Sequence, residues 1–376
     1  MSEATDRAIV WVRPALYAVP LKQPASDAKV FTGRQKPLES VQVLAAEVRT
    51  ADGAEGFGFS YTLRTGGPAM LAYAREVGPL LLGEDSADTG RLWEKLEWHG
   101  ASVGRGGLAA QANAAFDTAL YDLKAKRAGL SVAKLLGAYR DSVRSYNTSG
   151  GYLSTPAKEA VENALASVAR GVGGIKLKVG HPDAAVDIER VSAARKALGD
   201  SVPLMVDANQ QWDRPTALRM GRRLEEYNLT WIEEPLDALD HEGHAALARA
   251  LDTPIATGEM LTSIAEHADL LAARGADILQ ADVARVGGVT PFQHIAGLAQ
   301  QQRVPLAPHF VMELHVQIAA AQPLETWVEH FDWLEPLFNE RLELRDGRMV
   351  VPTRPGWGLT LSEEAAGWLV GAAELR

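Results

Sequence analysis

Apolar residues are spaced in two different ways along this chain. Between residues 9 and 59, strand-like runs are separated by a polar segment at residues 26–37 and by the turn sequence Asp52-Gly53, which is typical of a β-hairpin. Apolar residues then recur three and four positions apart, as in amphipathic helices, at residues 69–81, 89–98 and 111–127. Strands followed by helices predict an α+β domain over residues 1–135.

The second half of the chain alternates short apolar runs with segments of helical spacing. The apolar runs occupy residues 174–179, 204–206, 231–232, 255–256, 278–279 and 304–307. Repeated strand–helix units form parallel sheets, and this number of units favours a closed (β/α)8 barrel over an open doubly wound sheet. The open sheet usually carries a G-x-G-x-x-G turn that begins a helix, and the sequence has none. We therefore predict a barrel over residues 136–333.

A C-terminal segment, residues 334–376, follows the predicted barrel. It contains two short strand-like runs on either side of Asp346-Gly347, within residues 342–351. An Asp-Gly turn between two such runs predicts a second β-hairpin. We expect this hairpin to return to the N-terminal domain, so that the end of the chain completes that domain.

Composition and charge narrow the classes of function. Of 376 residues, 47% are hydrophobic and 23% charged, the balance of a soluble globular protein. The net charge of -10 gives no basic field, so we expect no nucleic-acid partner. No run has the pattern of a signal peptide or the length of a membrane span, so we expect a cytoplasmic protein with no membrane contact. Cysteine is absent, which leaves oxygen and imidazole as metal ligands.

Three acidic residues follow successive apolar runs of the predicted barrel. Asp207, Glu233 and Glu259 are 26 residues apart, about one strand–helix unit each, so their carboxylates should meet at the C-terminal mouth of the barrel. Converging carboxylates repel one another unless a cation lies between them. A hard divalent ion such as Mg²⁺ is the natural occupant of an oxygen-only site. Any one of these acids alone would more simply be a helix N-cap or a rim residue.

Other ionisable residues end the neighbouring runs. Lys176 and Lys178 alternate with apolar residues, which points both ammonium groups into the barrel; an exposed edge strand is the alternative interpretation. Asp282 and His309 are 27 residues apart, so adjacent strands would let Asp282 accept a hydrogen bond from His309 and raise its basicity. Glu329 follows the next run and is either a protonated hydrogen-bond donor at the same mouth or a solvated rim acid.

These residues lie in segments that resemble a known family. The motifs IKLKVG, VDANQQW, WIEEP, TGEM, QADVARVGGVT and APHF are similar to those of the enolase superfamily, and the Asp/His pair is similar to that of its mandelate racemase subgroup. Segments within residues 26–38, 146–151, 258–263 and 339–348 further resemble the acid-sugar dehydratases. The resemblance implies a (β/α)7β TIM-like barrel with an N-terminal α+β capping domain completed by the C-terminal tail, and a homo-oligomer.

The resemblance also implies an activity and the main catalytic roles. Asp207, Glu233 and Glu259 would bind Mg²⁺, and Lys178 and His309 would be acid/base residues on opposite faces of the substrate. The implied reaction is dehydration of a hexaric acid of the galactarate and L-talarate type. A proton next to one carboxylate is removed, the neighbouring hydroxyl is eliminated, and a 3-deoxy-2-keto acid forms, with some epimerisation at the same carbon.

Three further residues are given supporting roles by the same resemblance. Lys176 would lower the pKa of Lys178 through its like charge. Asp282 would orient His309, and Glu329 would hydrogen-bond the substrate carboxylate. Two other functions stay open on the sequence alone: a racemase or epimerase that uses the same two bases without loss of hydroxyl, and a non-catalytic sugar-acid binding protein.

A small dicarboxylic substrate needs partners for its distal carboxylate as well. Lys29 and Arg34 in the N-terminal loop, and Arg64 after the hairpin, are our candidates, because such loops close over barrel mouths. Asp27 beside them would accept a hydrogen bond from a substrate hydroxyl. Solvated loop charge is the alternative interpretation for all four. Asn209, two residues after Asp207, is expected to orient ligands or touch substrate.

Overall fold

The structure is a computed structural model and describes residues 6–376. Its strands are β1 Ile9–Ala25, β2 Leu38–Thr50, β3 Glu55–Leu63, β4 Ser142–Asn147, β5 Gly174–Lys178, β6 Leu204–Asp207, β7 Ile232–Glu233, β8 Ile255–Thr257, β9 Ile278–Leu279, β10 Trp327–His330, β11 Leu344–Arg345, β12 Arg348–Val350 and β13 Leu369–Ala372. Its α-helices are α1 Ala28–Phe31, α2 Gly67–Val77, α3 Thr89–His99, α4 Gly107–Arg127, α5 Val132–Leu135, α6 Ala157–Ala169, α7 Ala184–Leu198, α8 Arg214–Leu224, α9 His241–Ala250, α10 Ile264–Ala272, α11 Val289–Gln301 and α12 Met312–Ala320. Short 3₁₀ helices lie at Gly78–Leu81, Gly100–Ser102, Glu225–Tyr227, Glu335–Leu337 and Glu364–Trp368. In this part of the chain, no helix has the length and apolar character that crossing a membrane requires.

The N-terminal domain is an antiparallel sheet with both faces buried. Its strand order is β13-β1-β2-β3. One face of the sheet, which includes Leu16 and Leu44, packs on helices α2 to α4. The opposite face, which includes Phe59 and Tyr61, is part of the core that the domain shares with the barrel. The period-two alternation of these strands therefore sends one set of side chains to the helices and the other to the barrel.

Close approach of β3 to α4 fixes how this sheet sits. A Cβ atom added at Gly58 would lie 2.1 Å from the backbone nitrogen of Ala119 and 2.4 Å from Thr118 Oγ1. Glycine is therefore required there, because any side chain would push the strand off the helix. The Thr118 hydroxyl also accepts a hydrogen bond from Phe59 N at 3.1 Å. This contact fixes the position of the end of β3, and therefore of Tyr61, relative to the barrel.

The second domain is a closed barrel. Strands β4 to β9 pair in parallel and in sequence, and β10 pairs in parallel with β4. The remaining strand position of the barrel lies between β9 and β10. It is marked by a single parallel bridge from Leu279 to Leu306. Helices α6 to α12 alternate with the strands, which gives the (β/α)7β arrangement. All six predicted apolar runs lie in the barrel wall, and β4 and β10 are the two positions that the pattern of runs missed.

The C-terminal segment differs from the sequence-based prediction. The hairpin of β11 and β12 pairs with the barrel strand β4, through Met349 opposite Val143, and not with the N-terminal sheet. Met349 is fully buried in an apolar cluster with Val143 and Val316, so the barrel covers the apolar face of the hairpin. The strand that joins the N-terminal sheet is β13, which pairs antiparallel with β1. The prediction for residues 342–351 was therefore wrong, while the last strand of the segment does return.

One buried carboxyl outside the barrel mouth gives a stability prediction. Glu313 lies in the first turn of α12, is 5% exposed, and neither of its carboxylate oxygens has a hydrogen-bond partner among the described residues. Burial raises the pKa of Glu313 to about 8, whereas an unfolded glutamate titrates near 4.3. Between these values the folded chain holds a proton that the unfolded chain has lost, so the free energy of unfolding falls as pH rises from about 4.5 to about 8.

We expect Glu313→Gln to remove this dependence. The stability of the variant relative to the wild type should rise between pH 5 and pH 9, by on the order of a few kcal/mol. Urea denaturation at pH 5, 7 and 9 measures it, with Glu226→Gln, at an exposed position, as the matched control. Equal pH dependence in Glu313→Gln and the wild type would contradict the assignment.

Candidate active site

Three buried carboxylates meet at the C-terminal ends of adjacent barrel strands. Asp207 ends β6, Glu233 ends β7, and the two are paired in register; Glu259 follows β8. One carboxylate oxygen of each lies within 4.8 Å of the others. The helix N-caps after these strands are instead Asp213, Asp240 and Ser263, whose side chains accept backbone hydrogen bonds. The three acids are thus neither caps nor rim residues.

Two lysines of β5 face this cluster. Lys176 Nζ lies 2.6 Å from Glu233 Oε1 and 3.8 Å from Asp207 Oδ2, and Lys178 Nζ forms an ion pair with Asp207. The alternating Ile175 and Leu177 pack outward, in the apolar core between the barrel and its helices. The two lysines therefore point into the barrel, as the alternation predicts, and an exposed edge strand is excluded.

Burial and mutual charge set the protonation of this cluster. Burial raises the pKa of Glu233 to about 8, and repulsion from Asp207 and Glu259 acts in the same direction against the attraction of Lys176. For Lys178, burial lowers the pKa and the Lys176 ammonium lowers it further, but attraction by carboxylates, Asp207 first, leaves the pKa above its ordinary value. Lys176 thus acts in the expected direction, and the net shift of Lys178 is opposite to the expectation.

The carboxylate cluster fits a divalent cation. Its donors are three carboxylates, the hard oxygen ligands that Mg²⁺ prefers. Glu259 Oε2 is buried without a hydrogen-bond partner among the described residues, so one ligand atom is free for an ion. Asp207 is held in place by the backbone and side-chain N–H groups of Asn209, at 2.8 and 3.2 Å. A cation between the three acids would relieve the repulsion that raises the pKa of Glu233.

Residues outside the predicted set hold Glu233. Its Oε2 accepts hydrogen bonds from Gln280 Nε2 at 2.6 Å and from Trp231 Nε1 at 3.0 Å. The next residue, Glu234, is fully buried and accepts from Gln210 Nε2 at 2.7 Å. Burial and the neighbouring Glu259 hold the pKa of Glu234 well above its usual range. Gln280 lies in the same motif as Asp282, and this motif was the signal in the sequence that could have identified Gln280.

An imidazole approaches the cluster at Glu259, whereas Lys178 contacts it at Asp207. His309 Nε2 is 3.5 Å from Glu259 Oε2, and His309 Nδ1 is 2.9 Å from Asp282 Oδ2. Burial lowers the pKa of His309, but the carboxylates of Glu259 and Asp282 outweigh it and raise the pKa overall. The predicted Asp282–His309 hydrogen bond is present. A third partner, Tyr61, was not predicted; its hydroxyl donates to Asp282 Oδ2 at 2.6 Å.

Glu329, on β10, lies at the same mouth and is 3% exposed. It forms an ion pair with Lys176 at 3.0 Å, and it accepts hydrogen bonds from the Thr148 hydroxyl and from Phe310 N. Burial raises the pKa of Glu329, but the positive charges of Lys176, His309 and Lys178, with the Thr148 hydrogen bond, together outweigh burial and bring the pKa down to about 2. The interpretation as a solvated rim acid is therefore wrong, because the side chain is buried at the mouth of the barrel; its role as a hydrogen-bond donor to the substrate stays a prediction.

A cavity of about 270 Å³ lies between the two domains and opens on these groups. The barrel contributes Lys178, Asn209, Glu259 and His309, and the N-terminal domain contributes Asp27, Lys29 and Arg64. Asp27 caps α1 because its Oδ1 accepts hydrogen bonds from the backbone N–H groups of Lys29 and Val30, and its Oδ2 accepts from Arg64 Nη2 at 3.1 Å. The Arg64 Nε donates to Lys36 O at 2.8 Å. Through these contacts, Arg64 holds the loop between Asp27 and Lys36 in place over the cavity.

Arg34 is the predicted substrate contact that the structure places elsewhere. Its side chain is exposed and it does not line the cavity. The chain reverses at Gly33, with φ of 72°, and the N–H groups of Arg34 and Gln35 both donate to Lys29 O. This turn directs Gln35 to the cavity and Arg34 to solvent, a local geometry that the loop sequence does not reveal.

Comparison with known proteins identifies the class. Residues 30–137 match the family model described as Mandelate racemase / muconate lactonizing enzyme, N-terminal domain, and residues 159–365 match Enolase C-terminal domain-like. The chain belongs to the enolase superfamily, in its mandelate racemase and muconate lactonizing enzyme family. The predicted family and the capped barrel are confirmed.

Particular relatives are close. The chain is 59% identical over 367 residues to L-talarate/galactarate dehydratase of Salmonella typhimurium, covering 98% of this chain and 92% of that protein. L-talarate dehydratase from Polaromonas sp. JS666, in a crystal structure with Mg and L-glucarate, has a TM-score of 0.96 at 65% identity, with 98% and 99% of the two chains covered. The Salmonella enzyme liganded with Mg and L-lyxarohydroxamate has a TM-score of 0.98 at 58% identity, with 100% and 96% covered.

Proposed function

We propose that this chain is a Mg²⁺-dependent hydro-lyase that dehydrates a hexaric acid of the galactarate and L-talarate type to a 3-deoxy-2-keto acid. The observation that carries the proposal is the meeting of three buried carboxylates at one barrel mouth, beside a cavity that Glu259, Lys178 and His309 line. The names of the relatives, at 59 and 65% identity, support the substrate class. A homo-oligomer and a cytoplasmic location stay predictions.

In this proposal, Asp207, Glu233 and Glu259 hold Mg²⁺, and when bound the ion stabilises negative charge that develops on the substrate carboxylate. Removal of the proton next to a carboxylate is difficult because a dianionic ene-diolate results. Lys176 supplies fixed positive charge beside this group. The proton passes to Lys178 Nζ or to His309 Nε2, depending on the configuration of the bound acid.

Loss of the hydroxyl completes the reaction. The hydroxyl on the neighbouring carbon takes the Nε2 proton of the His309 imidazolium and leaves as water. His309 holds that proton because it has taken it from the substrate carbon or, where Lys178 is the base, because it is protonated before substrate binds. The resulting enol tautomerises to the 2-keto acid, so that one water molecule is lost and no electrons are exchanged with another reactant. Because a base faces each side of the carbon, a proton returned from the opposite side gives the epimer.

The distal carboxylate of the substrate is assigned to Lys29. Arg64 is already engaged by Asp27 and by a backbone carbonyl, whereas Lys29 lines the cavity and has no ion-pair partner among residues 6–376. We expect Lys29→Met to raise KM for hexarates roughly 10- to 100-fold, the value of one charge-assisted hydrogen bond, with a smaller effect on kcat. Lys36→Met, in the same loop but outside the cavity lining, is the matched control.

A substrate that lacks the second carboxylate separates this role from general damage to the loop. Steady-state kinetics with a hexarate and with the corresponding monocarboxylic hexonate should show the KM effect of Lys29→Met for the diacid alone. An equal increase for both acids would contradict the assignment of Lys29 to the distal carboxylate.

A panel of hexarate stereoisomers with Mg²⁺ tests the proposed function itself. Keto-acid formation, followed by a carbonyl-specific assay, is expected from at least one stereoisomer. Epimer formed without keto acid would indicate a racemase or epimerase, and saturable binding without any product would indicate a binding protein. Either result would overturn the proposal.

A further inference from the structure

The phenol of Tyr61 lies directly behind His309. Tyr61 is on β3 of the capping domain and is fully buried. Its hydroxyl donates to Asp282 Oδ2 at 2.6 Å and lies 3.1 Å from His309 Nδ1. Arg285 Nε donates to the same phenol oxygen at 3.4 Å. The capping domain therefore supplies a hydrogen-bond donor to the Asp282–His309 pair of the barrel.

The capping domain also contacts the segment that carries Asp282 at a second point. Asp117, on α4, accepts hydrogen bonds from Thr290 N at 3.0 Å and from Thr290 Oγ1 at 2.7 Å, in the first turn of α11. A Cβ atom added at Gly288 would lie 2.3 Å from Asp117 Oδ2, so the two elements are in tight contact. Residues 282–290 are thus held at both ends by the capping domain.

We propose that Tyr61 is a positioning residue: it holds Asp282, and Asp282 in turn orients the imidazole of His309 for proton transfer. Because Tyr61 belongs to the capping domain, the imidazole has this orientation only when the capping domain is in contact with the barrel. This inference rests on the proposed function, because it assumes that His309 transfers a proton to or from the substrate.

The hydrogen bonds around Asp282 leave little choice of orientation. Asp282 Oδ1 accepts from Ala284 N at 2.8 Å, and Oδ2 accepts from both Tyr61 and His309 Nδ1. His309 therefore carries its proton on Nδ1 and presents Nε2 to the cavity. Burial and the Asp282 charge hold the pKa of Tyr61 well above its usual range, so the phenol stays a donor.

Loss of the phenol hydroxyl would loosen this arrangement without altering the substrate pocket. Tyr61 is not among the described residues that line the cavity, so it does not touch the substrate. Without this donor, Asp282 Oδ2 keeps the hydrogen bond of His309 and the longer ion pair with Arg285 Nε at 3.9 Å, so the carboxylate is held less firmly. The effect should fall on proton transfer by His309, and therefore on kcat, while KM and proton transfer by Lys178 stay unchanged.

Solvent hydrogen exchange at the carbon next to the carboxylate separates the two bases. Each of two epimeric hexarates is incubated in D2O with the Mg²⁺-loaded enzyme, and deuterium incorporation is followed by proton NMR. Lys178→Ala and His309→Asn establish which epimer depends on which base. Tyr61→Phe is then compared with Tyr73→Phe, a matched loss of hydroxyl in the same domain, where the hydroxyl has no hydrogen-bond partner among the described residues.

We expect Tyr61→Phe to slow the His309-dependent exchange and dehydration roughly 10- to 100-fold, as do other losses of supporting hydrogen bonds. KM, the Lys178-dependent exchange and all rates of Tyr73→Phe should stay within about twofold of the wild type. Equal slowing of both exchanges, or no slowing of either, would overturn the inference. Absence of exchange and product in the wild type with every hexarate would instead overturn the proposed function.

A measurement on the resting protein keeps the inference testable apart from turnover and folding yield. Nitrogen-15 NMR of the histidine side chains, assigned with His309→Asn, reports the tautomer of His309. For the neutral imidazole, we expect the Nδ1–H tautomer alone in the wild type and a mixture in Tyr61→Phe. An unchanged tautomer in a folded Tyr61→Phe would show that Asp282 is held without the phenol, and the inference would be wrong.

Discussion

His309→Asn and Lys178→Ala are each expected to lower kcat for dehydration by about 10²- to 10⁴-fold, the usual contribution of a positioned acid or base. His309 Nε2 and the Lys178 ammonium approach the carboxylate cluster through different acids, Glu259 and Asp207 respectively. We therefore expect the two groups to flank the substrate carbon, so that neither can replace the other.

The two variants should differ in their residual chemistry. Lys178→Ala should retain exchange of the substrate proton that faces His309. His309→Asn should lose dehydration of every epimer, since in the proposed mechanism His309 also protonates the leaving hydroxyl. Keto-acid assays and D2O exchange measure the two steps. Lys158→Ala and His294→Asn, at exposed positions, are matched controls. Near-normal dehydration of every hexarate by either active-site variant would show that the two-base arrangement is wrong.

The strand-end groups of the barrel were predictable because the fold repeats. One strand–helix unit takes about 26 residues here, so equal spacing of Asp207, Glu233 and Glu259 maps directly onto adjacent positions around one mouth. The same rule placed Asp282 next to His309. Each of these predictions required only the local sequence and the regular repeat of strand–helix units around the barrel.

Contacts between the domains follow no such repeat. Tyr61 and Asp282 are 221 residues apart, and nothing in the alternation of β3 specifies which barrel residue its inward face will meet. Arg285 was within a recognised motif, but its contact with the Tyr61 phenol depends on how the capping domain sits. Arg34 and the β11–β12 hairpin were misplaced for a related reason, because a tight turn and an apolar barrel surface, respectively, decided their positions.

Removal of Mg²⁺ is expected to abolish dehydration, and Glu233→Gln should have nearly the same effect with Mg²⁺ present. Charge stabilisation by a bound metal contributes several kcal/mol to such a transition state, which corresponds to a loss of about 10²- to 10⁴-fold in kcat. Glu233 is the central acid of the three, since it contacts Lys176 directly and is in register with Asp207. Its amide isostere keeps the shape of the site and removes one negative charge.

Thermal unfolding gives a second measurement of the same site that needs no substrate. An ion that binds only the folded chain raises Tm with concentration, so titration with Mg²⁺ should raise Tm of the wild type and of Glu226→Gln, and should raise Tm of Glu233→Gln much less. Activity after chelation should return when Mg²⁺ is added back. Full turnover in the presence of excess chelator, or equal Mg²⁺-induced shifts of Tm in all three proteins, would show that the three carboxylates do not hold the ion on which the reaction depends.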